Sequence, residues 1–359
     1  MGGTRGSAAM SEAPSPTRDS RHGSRILVVS IGDAGDVGHP LTGYSALLAD
    51  SGCGVEQRVI REGSSPRQVL RALWLTRDVR SFDAVIASDY TGAFAVAVMA
   101  LLLRSRALLI AVGFNLSRRP FRSGHAAIDR IVDRVFARLD RIVVHSTPEA
   151  DQFVALHTLD RRRFSVVPWG FDLPPVADDV AALVPRTPYV AMIGRNNRDF
   201  EAAAVGLQGT GIGGVFVGCG DLQAAGDTEL RTFPTLPFDQ CLGIMRNAIA
   251  SLIILNDGNR GAGHITAVAG MLLERPHIFS DAPVIGDYLQ DRVHGIAVPF
   301  GKPEALQHAI RQLADDPALR ERYGRQGRET ALTQMSNAAF SRKIAHIVLG
   351  ELGRRRVGP

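Results

Sequence analysis

Lysine is almost missing from this 359-residue chain: Lys302 and Lys343 are the two, and arginine supplies the rest of its 41 basic side chains. Aromatic residues make up only 6%. The net charge of +5 is scattered among acids, and no basic stretch is interleaved with aromatics. Base-stacking platforms need that interleaving, so no nucleic-acid partner is expected. Anionic phosphate ligands or an anionic surface fit the excess better. Cysteine is also scarce. Cys53, Cys219 and Cys241 are odd in number and lack metal-ligand spacing, which excludes a disulfide framework or zinc site and suits a reducing cytoplasm. There is no Asp-x-Asp pair and no other carboxylate–imidazole cluster, so no metal site and no resident cofactor are expected. Long apolar runs are missing too. The longest, 93–103, ends before Arg104 and Arg106, about half of the roughly 20 residues a membrane span requires. Residues 1–24 have no apolar segment of the signal-peptide kind and read as a disordered Gly/Ser/Pro-rich leader.

What is present alternates. RILVVSI (25–31), GVEQRVI (54–60), FDAVIAS (82–88), ALLIAV (107–112), RIVVHS (141–146) and FSVVPWGFD (164–172) read as strands separated by helical stretches. Ile128, Ile131, Val132, Val135, Phe136 and Leu139 share one face of the helix before RIVVHS. Ser146 and Glu149 have the spacing of a capping box that starts the next helix. A Pro-rich break at 173–186 follows, and the alternation restarts with PYVAMIG (188–194), GVFVGCG (214–220), RTFPTL (231–236), ASLIILN (250–256), PHIFS (276–280) and GIAVPF (295–300). Strand–helix alternation of this kind builds right-handed, parallel βαβ units. The expected fold is therefore α/β, with two doubly wound Rossmann-like domains facing each other across a cleft. Their expected limits are 25–172 and 187–335, with a final helix at 336–352 returning to the first domain and a tail at 353–359. Ligands of such sheets sit at the carboxyl ends of the strands, which makes the cleft the expected site.

Four segments resemble the large family of retaining GT-B glycosyltransferases (group 1, family 4-like). They are HSTPEADQFV…RFSVVPWGFD (145–172), MIGRNNRDFEAAAVGL (192–207), GAGHITAVAGMLLERPHIFSD (261–281) and DRVHGIAVPFGKPEALQHAIRQLADDPALRERYGRQGR (291–328). The resemblance implies a cytoplasmic enzyme that moves a hexosyl-type sugar from a nucleoside diphosphate to a glycan, glycolipid or small-molecule acceptor, with retention. It implies a diphosphate held by Arg195 and Arg198 in place of a metal. Arginine suits that task because it grips phosphate bidentately and stays charged. Gly194, Gly218, Gly220, Gly261, Gly263, His264 and Thr266 would form the rest of the donor site, since small residues and helix-terminal amides let phosphate approach.

The sequence also departs from that family. Two glutamates usual around the donor helix align with Gly261 and Ala269. A histidine usual after the fourth strand is absent from VGFNLS (112–117), where Asn115 is the nearest polar candidate. A catalytically degenerate binding or scaffolding protein, or a sugar-nucleotide epimerase on a similar fold, therefore stays open. On the acceptor side, Gly35, Gly38 and His39 of the first βα loop and Asp89 after the third strand are candidates. GDAGDVG (32–38), with Glu56 downstream, is a poor match to a dinucleotide fingerprint. Arg118, Arg119, Arg122, Arg130, Arg134, Arg138 and Arg141 make 118–141 the most basic stretch of the body. It is read either as a solvated face or as a peripheral contact with anionic membrane.

Overall fold

A computed structural model describes residues 23–31, 40–60, 65–113, 125–222, 228–258 and 261–357. The first sheet contains β1 (Arg25–Ile31), β2 (Gly54–Ile60), β3 (Ala84–Ser88), β4 (Leu108–Val112), β5 (Arg141–Val144) and β6 (Phe164–Val166). Its strands are parallel, in the order β2-β1-β3-β4-β5-β6. Helices α1 (Pro40–Asp50), α2 (Ser65–Leu75), α3 (Tyr90–Leu102), α4 (Ala126–Phe136) and α5 (Thr147–His157) connect them. The second sheet contains β7 (Tyr189–Ile193), β8 (Gly213–Val217), β9 (Leu230–Phe233), β10 (Ala250–Ile253), β11 (His277–Ser280) and β12 (Gly295–Val298). It is also parallel, in the order β12-β11-β10-β7-β8-β9. Helices α6 (Phe200–Leu207), α7 (Phe238–Asn247), α8 (His264–Leu272), α9 (Pro283–Gly286), α10 (Pro303–Asp315) and α11 (Pro317–Gln334) accompany it, and α12 (Asn337–Val357) follows.

The strands read as unbroken apolar runs because both faces are covered. β3, β4, β7 and β8 are buried along their whole length. Within β1 the alternation is visible: Leu27 and Val29 enter one core layer, and Ile26 and Val28 the opposite one. The second layer is completed from far along the chain by Phe340, Ile344, Val348 and Leu352 of α12, packed with Tyr44 and Leu48 of α1. α12 continues to Val357, so most of the expected tail is helix.

The two passages between domains run side by side. Phe171 donates its N–H to the Met335 carbonyl (2.9 Å), and the Asn337 N–H donates to Asp172 Oδ1 (3.0 Å). Gly170 is required there, since a Cβ would lie 2.5 Å from that of Phe340. Among the described residues, no helix is long and apolar enough to cross a membrane.

Two local expectations are corrected. Ser146 Oγ makes no cap bond to α5. Glu149 makes its half of the box, accepting from the amides of His145 (3.0 Å) and Ser146. On α4, Val132, Val135 and Phe136 are buried, but Ile128 and Ile131 are exposed, so the apolar face is only partly covered. Nor is the 118–141 stretch uniformly free cation. Arg138 is spent on Asp140 and the carbonyls of Ser105 and Ala107, and Arg141 on Glu351. Arg118, Arg119 and Arg122 lie outside the described residues.

Candidate functional site

In the second sheet the chain leaves β7 in one direction for β8 and β9, while β10 lies on the other side, so β7 and β10 flank the switch point. Ligands of doubly wound sheets bind beyond such a point. The chain leaves β7 through Gly194 at φ +121° and turns sharply over 195–197. Asn197, at φ 55°, pins this turn to the β10–α8 loop: its Nδ2 donates to the Asp257 carbonyl (2.7 Å) and its Oδ1 accepts from the Asp257 N–H (3.0 Å). Asn256 Nδ2 donates to the Arg198 carbonyl (2.8 Å), and Asp199 caps α6 through the Ala202 N–H (2.9 Å). The backbone of Arg198 is thus fixed from both sides.

Its side chain folds back beneath the strand ends and is 7% exposed. Nη1 donates to the Asn196 carbonyl (3.0 Å), and Nη2 donates to the Ile193 carbonyl (3.3 Å) and lies 3.4 Å from Thr266 Oγ1. Nε is buried with no partner, and among the described residues no carboxylate is within ion-pair distance. Burial alone lowers its pKa to about 10. An unpaired buried guanidinium is costly unless an anion completes it. Gly194 and Gly263 make the room, since a Cβ on them would stand 3.0 and 3.4 Å from Nη2. Gly263, at φ +91°, is also the N-cap of α8, and no side chain caps that helix end. Its amides and the guanidinium of Arg198 face the same space, an arrangement suited to a multiply charged oxyanion. Arg195 is exposed at the lip, with no described hydrogen-bond or ion-pair partner.

This space is an interdomain cavity of about 390 Å³. The second domain lines it with Gly194, Arg195, Asn196, Arg198 and the segment 261–266. The first domain contributes Gly113, His145, Glu149 and Trp169. Hydrogen bonds from the Thr147 N–H and Oγ1 to Asp287 (2.6 and 2.9 Å) and from the Trp169 N–H to the Tyr288 hydroxyl (2.7 Å) hold the walls together. Burial raises the pKa of Glu149, and its amide bonds oppose the rise. Burial lowers His145 to about 4 and, aided by the charge of His145, lowers His264 to about 4. His264 stacks on Tyr288 at 4.3 Å, with Nε2 3.3 Å from the Val284 carbonyl.

Of the donor-side expectations, Gly194, Arg195, Arg198, Gly261, Gly263, His264 and Thr266 meet in this one cavity. Gly218 and Gly220 are not among its described lining residues. Gly218 instead abuts the Gly194 carbonyl and the stem of Arg195, and Gly220 is exposed. Asn115, Gly35, Gly38 and His39 lie outside the described residues. Asp89 is not among the lining residues either. It is the N-cap of α3, at φ 59°, with Oδ1 accepting from the Gly92 N–H (2.8 Å) and a pKa raised by burial to about 6. Ala269 is 1% exposed among Ile193, Val217, Leu242 and Met245. Sequence reasoning missed His145, Glu149 and Trp169 as cleft residues. Their signal was present: the Ser-x-x-Glu spacing marks both a helix cap and a segment of the family resemblance, but neither reading places these side chains in the cleft. Among the described residues, no group of three or more His, Cys, Asp or Glu could hold a metal ion.

No family model matches the chain, and no curated protein matches it at a significant level. Solved structures do match. A sucrose-phosphate synthase from Thermosynechococcus elongatus superposes with a TM-score of 0.65 at 17% identity, over 92% of this chain and 99% of that one. Anabaena HepE in complex with UDP matches with a TM-score of 0.65 at 13% identity, over 90% and 100%. The lipopolysaccharide outer core galactosyltransferase WaaB matches with a TM-score of 0.61 at 10% identity, over 91% and 99%. Identities this low establish architecture alone, and that architecture is GT-B, two Rossmann-like domains facing each other across a cleft.

Proposed function

We propose that this chain is a glycosyltransferase that takes a sugar from a nucleoside diphosphate and passes it to a glycan, glycolipid or small-molecule acceptor. One observation carries the reading: a buried guanidinium, Arg198, faces the N-terminal amides of α8, which no side chain caps, at a switch point and has no carboxylate partner among the described residues. Breaking the bond from sugar to diphosphate places negative charge on the leaving group, and a preorganised cation with helix amides stabilises it as it develops. Arg198 is the fixed part of that device, and Arg195 at the lip supplies a second, movable charge. With two guanidinium groups in place, the diphosphate needs no divalent metal. HepE has been crystallised with UDP and with UDP-glucose, which supports a nucleotide-sugar donor here. Retention of configuration rests on the family resemblance, and the exposed Ile128, Arg130, Ile131 and Arg134 of α4 offer an anionic-membrane contact for a lipid-linked acceptor.

The test is a thermal-shift panel of UDP, GDP, ADP and dTDP and their sugar conjugates, with and without chelator. A ligand at 100 times its Kd raises stability by about 2.7 kcal/mol. A chelator-resistant shift that disappears in Arg198→Met is the expected result. No shift with any nucleotide sinks the proposal, and a shift that needs magnesium sinks its metal-free part. Hydrolysis or transfer of the bound sugar separates an enzyme from a binding protein.

A further inference from the structure

The two sheets end in β2, β6, β9 and β12. Strand β6 is three residues long and ends two residues before Pro168. Strand β9 is four residues long and runs into Pro234. Strand β12 is four residues long, runs into Pro299 and donates its Ala297 N–H to Asp291 Oδ1 (2.9 Å). Short strands, proline and covering side chains keep an edge from pairing with another chain. Strand β2 has none of these. It is seven residues long, contains neither proline nor lysine, and pairs on one side only, with β1.

The backbone direction of β2 follows from one hydrogen bond. The Gly54 N–H donates to the carbonyl of Ser24, just before β1 (3.0 Å). Backbone groups alternate between the two sides of a strand, so Glu56 and Arg58 also turn theirs toward β1. Val55, Gln57 and Val59 turn theirs outward, and among the described residues no backbone group meets them there. A second β2, laid antiparallel about a twofold axis at Gln57, satisfies all three. Val55 then faces Val59 of the second copy, Gln57 faces Gln57, and each pair exchanges two N–H···O bonds.

Charge selects that axis. VEQRV (55–59) is a palindrome of opposite charge about Gln57. Glu56 falls opposite the second copy's Arg58 in the non-hydrogen-bonded positions, where Cα atoms are about 4.5 Å apart and side chains come closest. An axis at Glu56 or at Arg58 would instead set like charges face to face. Arg58 is anchored for the task by Asp78, with bonds of 2.6 and 2.7 Å, while Glu56 remains half exposed. The twofold axis is perpendicular to the sheet, so it also brings the two α2 helices together on one face. Leu70 and Trp74, one turn apart on α2, are 66% and 62% exposed. With Val59 they line a groove of about 480 Å³ between α2 and β2 that the second copy would cover.

We propose that this chain forms a homodimer through β2, antiparallel about a twofold axis at Gln57, which joins two six-stranded sheets into one continuous sheet.

The test is sedimentation velocity on the full chain over a range of concentrations. Gln57→Pro removes an N–H that faces outward, and proline is tolerated on an edge strand in that orientation. It should give a folded monomer, with near-UV circular dichroism like that of the parent. Gln57→Lys and Gln57→Glu each set like charges against each other at the axis and should each raise the dimer Kd about fivefold or more. Mixing these two in equal amounts should restore association at least to the parent's level, because lysine then faces glutamate. Should the proline variant misfold, the mixture decides alone, since Gln57 is exposed. A parent that stays monomeric up to about 100 μM overturns the proposal. So does a dimer indifferent to a folded Gln57→Pro, or one that the mixture fails to restore.

Discussion

The carboxylate of Glu149 occupies the space in which a β-carbon on Gly261 would stand. One residue belongs to the first domain and the other to the second, and the position aligned with a family glutamate is thereby fronted by a glutamate from the opposite wall. Glu149 is held by backbone amides at the start of α5 and cannot swing away freely. Gly261→Ala should therefore part the walls, weakening nucleotide binding several-fold and costing about 1–2 kcal/mol of stability. Glu149→Ala in the same chain should recover much of the stability. Calorimetric titration and thermal unfolding of both variants check this, and strictly additive effects would count against it.

Arg198→Met separates a functional charge from a structural one. Removing a buried cation without a counter-ion relieves desolvation, so the ligand-free protein should be as stable as the parent or more so. Nucleoside diphosphate affinity should fall roughly ten- to a hundredfold, the worth of one lost charge-assisted contact of about 1.5–3 kcal/mol. Arg195→Ala should cost less and lose its effect in high salt, because its guanidinium is exposed. A large loss of stability with unchanged binding in Arg198→Met would make the residue structural.

Acid should unfold this protein through histidine. Burial holds His145 and His264 at about 4 and His277 at about 3, below an ordinary value of 6.5. Their folded pKa values are depressed, so the unfolded state takes up protons first as pH falls. Their contribution is fully present above about 6.5 and is lost as pH drops toward 4, at about 1.4 kcal/mol per pH unit for each proton taken up. Asp89, raised to about 6, acts in the opposite sense. Unfolding free energies between pH 4 and 7.5 should show the net decline, and a flat profile would contradict it.

Ala269→Glu tests whether the second family carboxylate can be restored. Ala269 is buried in the same core cluster as Ile193, Val217, Leu242 and Met245. A glutamate there overpacks the core and brings a charge into it, so stability should fall by about 2 kcal/mol or more with no gain in nucleotide affinity. Tighter binding by a folded variant would show that the ribose lies beside this position.

The α4 surface should distinguish membranes by charge. Vesicles containing anionic lipid should bind the protein more tightly than neutral ones, and Arg130→Glu with Arg134→Glu should lower that binding roughly thirtyfold or more, at about 1 kcal/mol for each basic residue. Co-sedimentation checks this, and equal binding to both vesicle types would remove the membrane contact.

The architecture was legible because parallel strands buried on both faces leave unbroken apolar runs such as LLIAV at Leu108–Val112 and YVAMI at Tyr189–Ile193. The second domain's half of the site was legible for a related reason. Gly194, Arg198 and Gly263 sit immediately after strands or before a helix, where position along the chain predicts position in the cleft. His145 and Glu149 were not legible as cleft residues, because what places them there is contact between α5 and α9, encoded far apart. Spacing alone could assign Glu149 a local cap and nothing more. Asp89 shows the reverse. Its place after a strand made it a site candidate, and its carboxylate turned out to be used in holding the start of α3.

The return of α12 to the first domain also bears on how the protein is made. Phe340, Ile344, Val348 and Leu352 close the layer formed by Ile26, Val28, Tyr44 and Leu48, yet they are synthesised after the entire second domain. On the ribosome, the nascent first domain emerges with one face of its sheet covered only in part, by α1, and stays so throughout translation of the second. Domain-by-domain folding in order of synthesis is therefore unavailable here. The second domain can complete its own core first, and the half of the protein made earliest is sealed last.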